Sequence, residues 1–445
     1  MIALATDLVG RALRAGAADA ECTIAEGEEF SANVRLGEVE SLKEAGSRAI
    51  GLRVLIGRRS GSSYTSDFSP SGIDRLVESA ISLARITSED PYAGLPEPEE
   101  LGSTNGDLGL YYDDVASLAA DQKIALARRC EQAALEADPR IMNSEGGAFS
   151  SSWGCHTLAN SRGFQGQYRR SWCSLYTVPV AKSGDQMQRD FWYSVARSLA
   201  ALESPESVGR RAAERAVSRL GAVKVETTRV PVVFEPRTAR TLLEGLFEAV
   251  NADAIYRHAS FLAGRLGEAV AAPHVTVVDD GTMPGGFGTS PFDDEGVPTR
   301  RTVVIDNGVL QSYLLNTYTA RKLGLKTTGN AGRGLTGNPG IGPGNFYLQP
   351  GPYRPDEILA SVREGFFVTE LIGFGVNMVT GDYSRGAAGM WIRDGKPAFP
   401  VHEVTIAGNL NQMLTDIEMI GSDLEFRGAV AAPTLKIREM TVGGK

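Results

Sequence analysis

Histidine and cysteine are scarce in this chain, with four of each among 445 residues. Cys22, Cys130, Cys155 and Cys173 are scattered, and none stands in a C-x-x-C spacing, so the material for a disulfide framework is missing and free buried thiols are expected. His258, His274 and His402 sit far apart and none begins an i, i+4 pair, which excludes a helical zinc site built from them. Cys155-His156 is the only adjacent pair of metal-ligand types. Neighbours in a strand point to opposite faces, so the pair reads as a strand with one side chain on each side. There is no G-x-S-x-G nucleophile elbow. No stretch approaches the roughly 20 apolar residues needed to cross a bilayer. The first residues, MIALATDLVGRALRAG, lack a basic leading region and a cleavage site, and a cytoplasmic protein is expected. Positive charge is lacking as well. A net charge of −9 and a pI near 5.2 argue against a chain whose task is to neutralise phosphates, so no direct nucleic-acid partner is expected.

What is present reads as a two-domain α+β protein. The length exceeds what one hydrophobic core usually supports. With 42 % apolar and 22 % charged residues the chain should fold. In residues 1–222 helices alternate with antiparallel hairpins. An opening helix precedes a meander from Glu21 to Thr65, with turn signals at Glu26-Gly27, Leu36-Gly37, Ala45-Gly46 and Ile56-Gly57. Ser69-Pro70 and Ser204-Pro205-Glu206 are helix starts, with Ser as cap and Pro in the first turn. A longer helix is expected from Val115 to Ala137, strands from Ile141 to Val195, and a surface connection over Pro91 to Leu108. Residues 223–445 are β-rich, with a large mixed or antiparallel sheet. There Val230 to Phe234 reads as a strand, followed after Pro236 by a helix with Leu242, Leu243, Leu246, Phe247 and Val250 on one face. Val275 to Val278 is a strand ending in a turn, and Asp306-Asn307-Gly308 is a hairpin turn.

Two features could carry chemistry. Asp279-Asp280-Gly281-Thr282 and Asp293-Asp294-Glu295-Gly296 read as turns, with a hard-cation site as the alternative. Residues 329–344 hold seven glycines but neither phosphate-binding glycine pattern. The expectation is a flexible loop along which another backbone, a peptide, passes closely. Asn330, Gly332, Arg333 and Gly334 are the peptide-binding candidates, with the Arg333 guanidinium meeting substrate carboxylates.

The segment RLGEVESLKEAGSRAIGLRVLIGRRSGSSYTSDFS, the series Asp279 to Thr282, Asp293 to Gly296, Asp306 to Gly308 and Thr328 to Asn330, and the terminal Thr441 to Gly444 together resemble the TldD/PmbA (TldE) metalloprotease family, labelled also as modulators of DNA gyrase. The likeness covers nearly the whole chain. In that family the TldD-type chain carries a helical His-Glu-x-x-x-His motif. Laid on it, this sequence has Glu244, Gly245 and Ala249, so neither imidazole nor catalytic carboxylate remains. The third TldD ligand, a cysteine near the C-terminus, is absent too, since no cysteine follows Cys173. The resemblance therefore implies a TldE/PmbA-type subunit with no catalytic residue and no metal of its own. It would form a heterodimer with a TldD-type subunit that holds zinc, in a complex acting on short or unfolded peptides and peptide precursors. Two alternatives stay open: a homodimeric metallopeptidase with atypical ligands, such as His258 with the Asp293 to Glu295 carboxylates, and a non-enzymatic peptide-binding protein.

Overall fold

The computed structural model describes residues 1–444. Its first half is a seven-stranded antiparallel sheet covered on one face by helices. Helix α1 (Ile2–Arg14) leads into strands β1 (Asp19–Arg35), β2 (Glu38–Ile56) and β3 (Arg59–Thr65) and helix α2 (Pro70–Ile86). Helices α3 (Asp113–Ser117) and α4 (Ala120–Ala137), strands β4 (Ile141–Asn160), β5 (Gln165–Ser183), β6 (Gln186–Arg189) and β7 (Trp192–Ala196), and helix α5 (Pro205–Ser218) complete it. The strand order is β3-β2-β1-β4-β5-β6, with β7 also pairing β5. Both predicted caps form. Ser69 Oγ accepts from the Gly72 N–H and Ser204 Oγ from the Ser207 N–H, each at 3.2 Å. The expected helix from Val115 is interrupted at Leu118-Ala119, where the Gln122 side chain accepts from the Ala119 N–H and starts a new helix.

The meander has fewer turns than its glycines suggest. Leu36 and Gly37 both take positive φ and make a tight hairpin, and Gly57 makes the next turn. Gly27 and Gly46, in contrast, lie inside β1 and β2, which run unbroken past them. Gly27 is needed for proximity, since a Cβ there would stand 2.3 Å from the Trp153 carbonyl oxygen of β4.

The second half contains two sheets around one core. Strand β8 (Thr228–Phe234) and helices α6 (Pro236–Val250) and α7 (Ala252–Tyr256) precede β9 (Val277–Asp280), β10 (Arg301–Asp306), β11 (Val309–Leu310) and α8 (Thr317–Leu323). A ribbon of β12 (Ala331–Gly332) and β13 (Gly340–Ile341) follows, then β14 (Phe346–Leu348), α9 (Pro355–Ala360), β15 (Glu364–Ile372), β16 (Asp382–Arg393), β17 (Lys396–Asn409), α10 (Leu410–Thr415), β18 (Ile417–Ile420), β19 (Val430–Ala431) and β20 (Leu435–Gly443). One sheet has the order β17-β16-β15-β8-β20-β18 and closes on itself because β17 also pairs β20. It is mixed: β8 runs parallel to β15 and antiparallel to β20. The other has the order β11-β10-β9-β14-β19. Helix α6 packs against both through Leu242, Leu243, Leu246, Phe247 and Val250, the face expected from its spacing.

Three contacts lock the halves together. Along β1, Cys22 and Ile24 face the helices while Glu21 and Thr23 face the second half, as strand alternation requires. Onto that second face the tip of the β12–β13 ribbon docks, with Arg333 donating Nη1 to Glu21 Oε1 at 2.5 Å and Nη2 to Thr23 Oγ1 at 2.8 Å. Arg53 reaches the same Glu21 oxygen at 2.6 Å. Beside them Gly51 lets the ribbon backbone approach, because a Cβ there would stand 2.0 Å from the Leu335 carbonyl oxygen. The third contact is the segment expected at the surface, residues 91–108. It straps the halves, with the Gly102 and Thr104 N–H groups donating to the Gly296 and Pro291 carbonyls and Arg321 donating to the Leu95 carbonyl.

Burial alone would raise the Glu21 carboxyl, but the guanidinium groups of Arg333 and Arg53 outweigh it and hold the group below its ordinary range. Removing one partner of such a buried set leaves charge unanswered and costs about 3–5 kcal/mol. Arg333→Ala should therefore lower the melting temperature clearly, and adding Glu21→Gln should cost less than the two changes taken separately. Thermal unfolding of the two single variants and the double variant checks this. Unchanged melting of Arg333→Ala would show that the halves do not depend on the contact.

Candidate functional site

Between the halves lies a cleft of about 270 Å3, far more than the roughly 10–15 Å3 that one water needs. The sheet of the first half supplies Tyr168 and Arg170 to it. The segment after β9 supplies Phe287, Phe292 and Arg300, and its opposite wall is formed by residues 329–332 and 342–344. Strand β9 contributes Asp279. The expected turn begins two residues later than predicted, so this aspartate is a strand residue, 1 % exposed, paired across β9 with Thr302 and Phe346.

The carboxylates around the cleft are treated very differently. Asp293 accepts from the Glu295 and Val297 N–H groups through Oδ1 and from the Ala331 N–H through Oδ2. With Gly296 at φ 83° this is turn chemistry, and its oxygens are taken by backbone donors. Asp294 accepts from the Arg333 N–H through Oδ2, and its Oδ1 lies 3.3 Å from Nε2 of His156. Burial holds that imidazole below its ordinary range even though Asp294 pulls the other way. Asp279 accepts from Nδ2 of Asn330 at 2.7 Å through Oδ2, while its Oδ1 has no hydrogen-bond partner. Burial pushes its carboxyl up to about 7, against the hydrogen bonds from Asn330 and the Gly344 N–H, with Asp280 adding to the rise.

The four peptide-binding candidates separate. Asn330 and Gly332 line the cleft, and Asn330 is committed to Asp279, the Gly342 carbonyl and the Thr328 hydroxyl. Gly334 stands beside open space with an ordinary φ. Arg333 corrects the expectation, because its side chain is 3 % exposed and spent on Glu21 and Thr23, so it meets no substrate carboxylate. Close backbone approach does occur along the glycine run, but to this chain's own backbone. A Cβ on Gly288 would stand 1.9 Å from the Gly344 carbonyl oxygen. Sequence reasoning passed over Asp279 and Arg300 as cleft residues. The pairing of a buried strand carboxylate with a distant asparagine left no local signal.

The positions that a metal motif would occupy lie elsewhere, on α6. Glu244 is exposed and paired with Arg240 at 3.2 Å, Gly245 offers no ligand, and Ala249 is fully buried in the core. A pocket of about 160 Å3 at the start of this helix is lined by Arg211, Arg237, Arg240 and Arg427. Its carboxylates are already engaged: Glu235 with Arg215 and Arg237, Glu425 with Arg427, and Asp423 with Thr434. A guanidinium-lined pocket repels a divalent cation, so these residues do not fit a zinc ion. Among the described residues no group of three or more His, Cys, Asp or Glu could hold a metal, and His258 is not brought to the Asp293 to Glu295 carboxylates. No helix is long and apolar enough to cross a membrane.

Comparison with known proteins places this arrangement. Three family models match in succession: PmbA/TldA metallopeptidase domain 1 over residues 20–84, the central domain over 113–220 and the C-terminal domain over 227–444. The chain belongs to the PmbA/TldD metallopeptidase family. It is similar to Metalloprotease PmbA of Escherichia coli O157:H7, 38 % identical over 434 residues that cover 97 % of this chain and 94 % of the relative. Its fold matches that of a Bacteroides thetaiotaomicron protein described as a modulator of DNA gyrase, with a TM-score of 0.92 at 27 % identity over 100 % of this chain and 98 % of the other. TldE from Thermococcus kodakarensis shares the fold at a TM-score of 0.90 and 23 % identity, over 99 % of each chain.

The Asp279 carboxyl generates a pH-dependent prediction. Its folded value lies above the ordinary unfolded value of about 3.9, so between about pH 4 and pH 7 the folded state keeps a proton that the unfolded state has lost. Stability from this group is present below that window and declines as pH rises through it. Asp279→Asn keeps an acceptor for Asn330 and abolishes the decline, so its melting temperature relative to wild type should climb by several degrees between pH 5 and pH 8. A difference that does not vary with pH would show that Asp279 is ionised at both ends.

Proposed function

We propose that this chain is the TldE/PmbA-type subunit of a TldD/TldE zinc metallopeptidase, and that it performs no hydrolysis alone. The observation that carries the reading is the state of α6. Its motif positions hold an ion-paired glutamate, a glycine and a core alanine, and the adjoining pocket is lined with arginines. Zinc and its activated water would belong to a TldD-type partner carrying His-Glu-x-x-x-His, in the heterodimer that the resemblance implies. This chain's share would be to hold the substrate, a short or unfolded peptide or the leader segment of a peptide precursor. Residues 329–332 and 342–344 line the cleft along which such a peptide would pass. Four free, buried cysteines agree with a cytoplasmic setting. A second reading, a peptide-binding protein with no protease role, is favoured by the fact that the cleft is complete within this chain.

The partner would need an apolar patch to cover, and the loop between β15 and β16 presents Ile372, Phe374 and Val379, with Phe374 wholly exposed. Three outcomes are expected. The chain purified alone should carry no stoichiometric zinc by elemental analysis and cleave no peptide; one chelator-removable zinc per chain, with activity, would overturn the assignment. Mixing with the cognate TldD-type chain should give a complex by light scattering at micromolar concentration, together with peptide turnover. Phe374→Asp should weaken that complex at least tenfold while leaving the melting temperature of the chain alone within a degree or two, and an unweakened complex would place the contact elsewhere.

A further inference from the structure

The cleft keeps opposite charges apart, and the inference drawn from this rests on the peptide-holding role proposed above. At its floor Asp279 is 1 % exposed, with Oδ2 bonded to Asn330 and no partner on Oδ1. No lysine, arginine or histidine makes an ion pair with it among the described residues. At the rim Arg170 and Arg300 are exposed, and neither side chain makes an ion pair or hydrogen bond among the described residues.

Elsewhere in the same inter-half space the charge of Glu21 is met by two guanidiniums, although its Oε2 has no partner, and both oxygens of Asp293 accept from N–H groups. Asp279 has Asn330 and the Gly344 N–H but no cation, and its Oδ1 is buried without a hydrogen-bond partner among the described residues. Buried polar atoms in native proteins are overwhelmingly paired, and an orphan lining a cleft marks a place for a ligand atom. The rise of its carboxyl to about 7 agrees with a charge that has no counter-ion.

We propose that the cleft is a subsite for the free amino end of a peptide: the α-ammonium donates to Asp279, the following main chain runs along the wall formed by residues 329–332 and 342–344, and Arg300 and Arg170 take a carboxylate farther along. An ammonium suits the floor because it is compact and carries three donors, whereas a planar guanidinium needs a wider seat. A metal ion does not, as no third ligating side chain stands near. Tyr168, Phe287 and Phe292 supply apolar walls for the first side chains.

The test uses the full chain alone, without partner or zinc, so a failure of the subunit assignment and a failure of this subsite are separate results. Trialanine, N-acetyl-trialanine, trialanine amide and N-acetyl-lysine are titrated by calorimetry. Free trialanine should bind, and acetylation should weaken it at least tenfold. Asp279→Asn should weaken trialanine by a similar factor and erase the difference between free and acetylated forms. Arg300→Ala combined with Arg170→Ala should erase the preference for trialanine over its amide. Equal binding of acetylated and free trialanine to the wild-type chain, no binding of trialanine at millimolar concentration, or retention of the discrimination in Asp279→Asn would each overturn the proposal. N-acetyl-lysine binding as tightly as trialanine would overturn the assignment to the amino end. Should Asp279→Asn fail to fold, the comparison of the two peptides on wild-type protein still decides.

Discussion

The buried contact of Glu21 with Arg333 and Arg53 is the constraint on which the rest of the molecule depends. It joins a strand of the first sheet to a ribbon of the second half, and none of the three side chains is more than 4 % exposed. Ions buried this deeply repay their desolvation only with near-ideal geometry and several hydrogen bonds. Arg333 meets that condition by adding Thr23 to Glu21. The energetic return relative to an apolar contact is small, but the orientation is fixed: a slip of β1 by one residue would bring Cys22 where Glu21 stands and leave the arginine unanswered. The cleft exists because this register holds.

Main chain then shapes the cleft. At Gly51 against Leu335, and at Gly288 against Gly344, the two backbones come closer than any Cβ permits. These glycines work by absence of a side chain and not by unusual φ, for neither Gly51 nor Gly288 adopts a positive value. A loop so pinned is not a lid. Gly51 lets the ribbon come down onto the first half, and residues 329–332 and 342–344 line one wall of the cleft as a consequence.

Much of the fold was legible because its signals are local. A serine before a proline caps a helix whatever surrounds it, and the apolar stripe of α6 follows from 3.6-residue periodicity. The misreadings share a cause. Glu26-Gly27 and Ala45-Gly46 resemble turns, yet both lie inside long strands, and Gly27 serves β4, a neighbour distant in sequence. Arg333 looked like a recognition group because an arginine among glycines has no local partner, while its true partner, Glu21, lies at the other end of the chain. Residues 91–108 have a loop's composition and are a strap, because their hydrogen-bond partners at Pro291 and Gly296 belong to another unit. Asp279 was hidden by two misplaced residues of strand. A turn aspartate caps itself, whereas a strand aspartate facing inward must find its partner elsewhere, and only half of this one is satisfied.

The same logic bears on why the metal motif's loss is not a matter of three letters. Ala249 has no exposed surface and packs in the core that α6 shares with both sheets, while its carbonyl accepts from the Ser260 hydroxyl. An imidazole there would need both volume and a hydrogen-bond partner, and overpacked cores lose about 1–3 kcal/mol before any unpaired polar atom is counted. At position 245 the nearest obstacle to a new side chain is Leu410, at ordinary contact distance, so a glutamate could be accommodated. At 244 the helix surface is free, apart from Arg240. Restoring ligands would thus meet resistance chiefly at Ala249, and beyond it at the arginines of the adjoining pocket, whose positive field opposes a cation even where ligands exist. The packing of the helix and the charge around its start act together against a cation at this place.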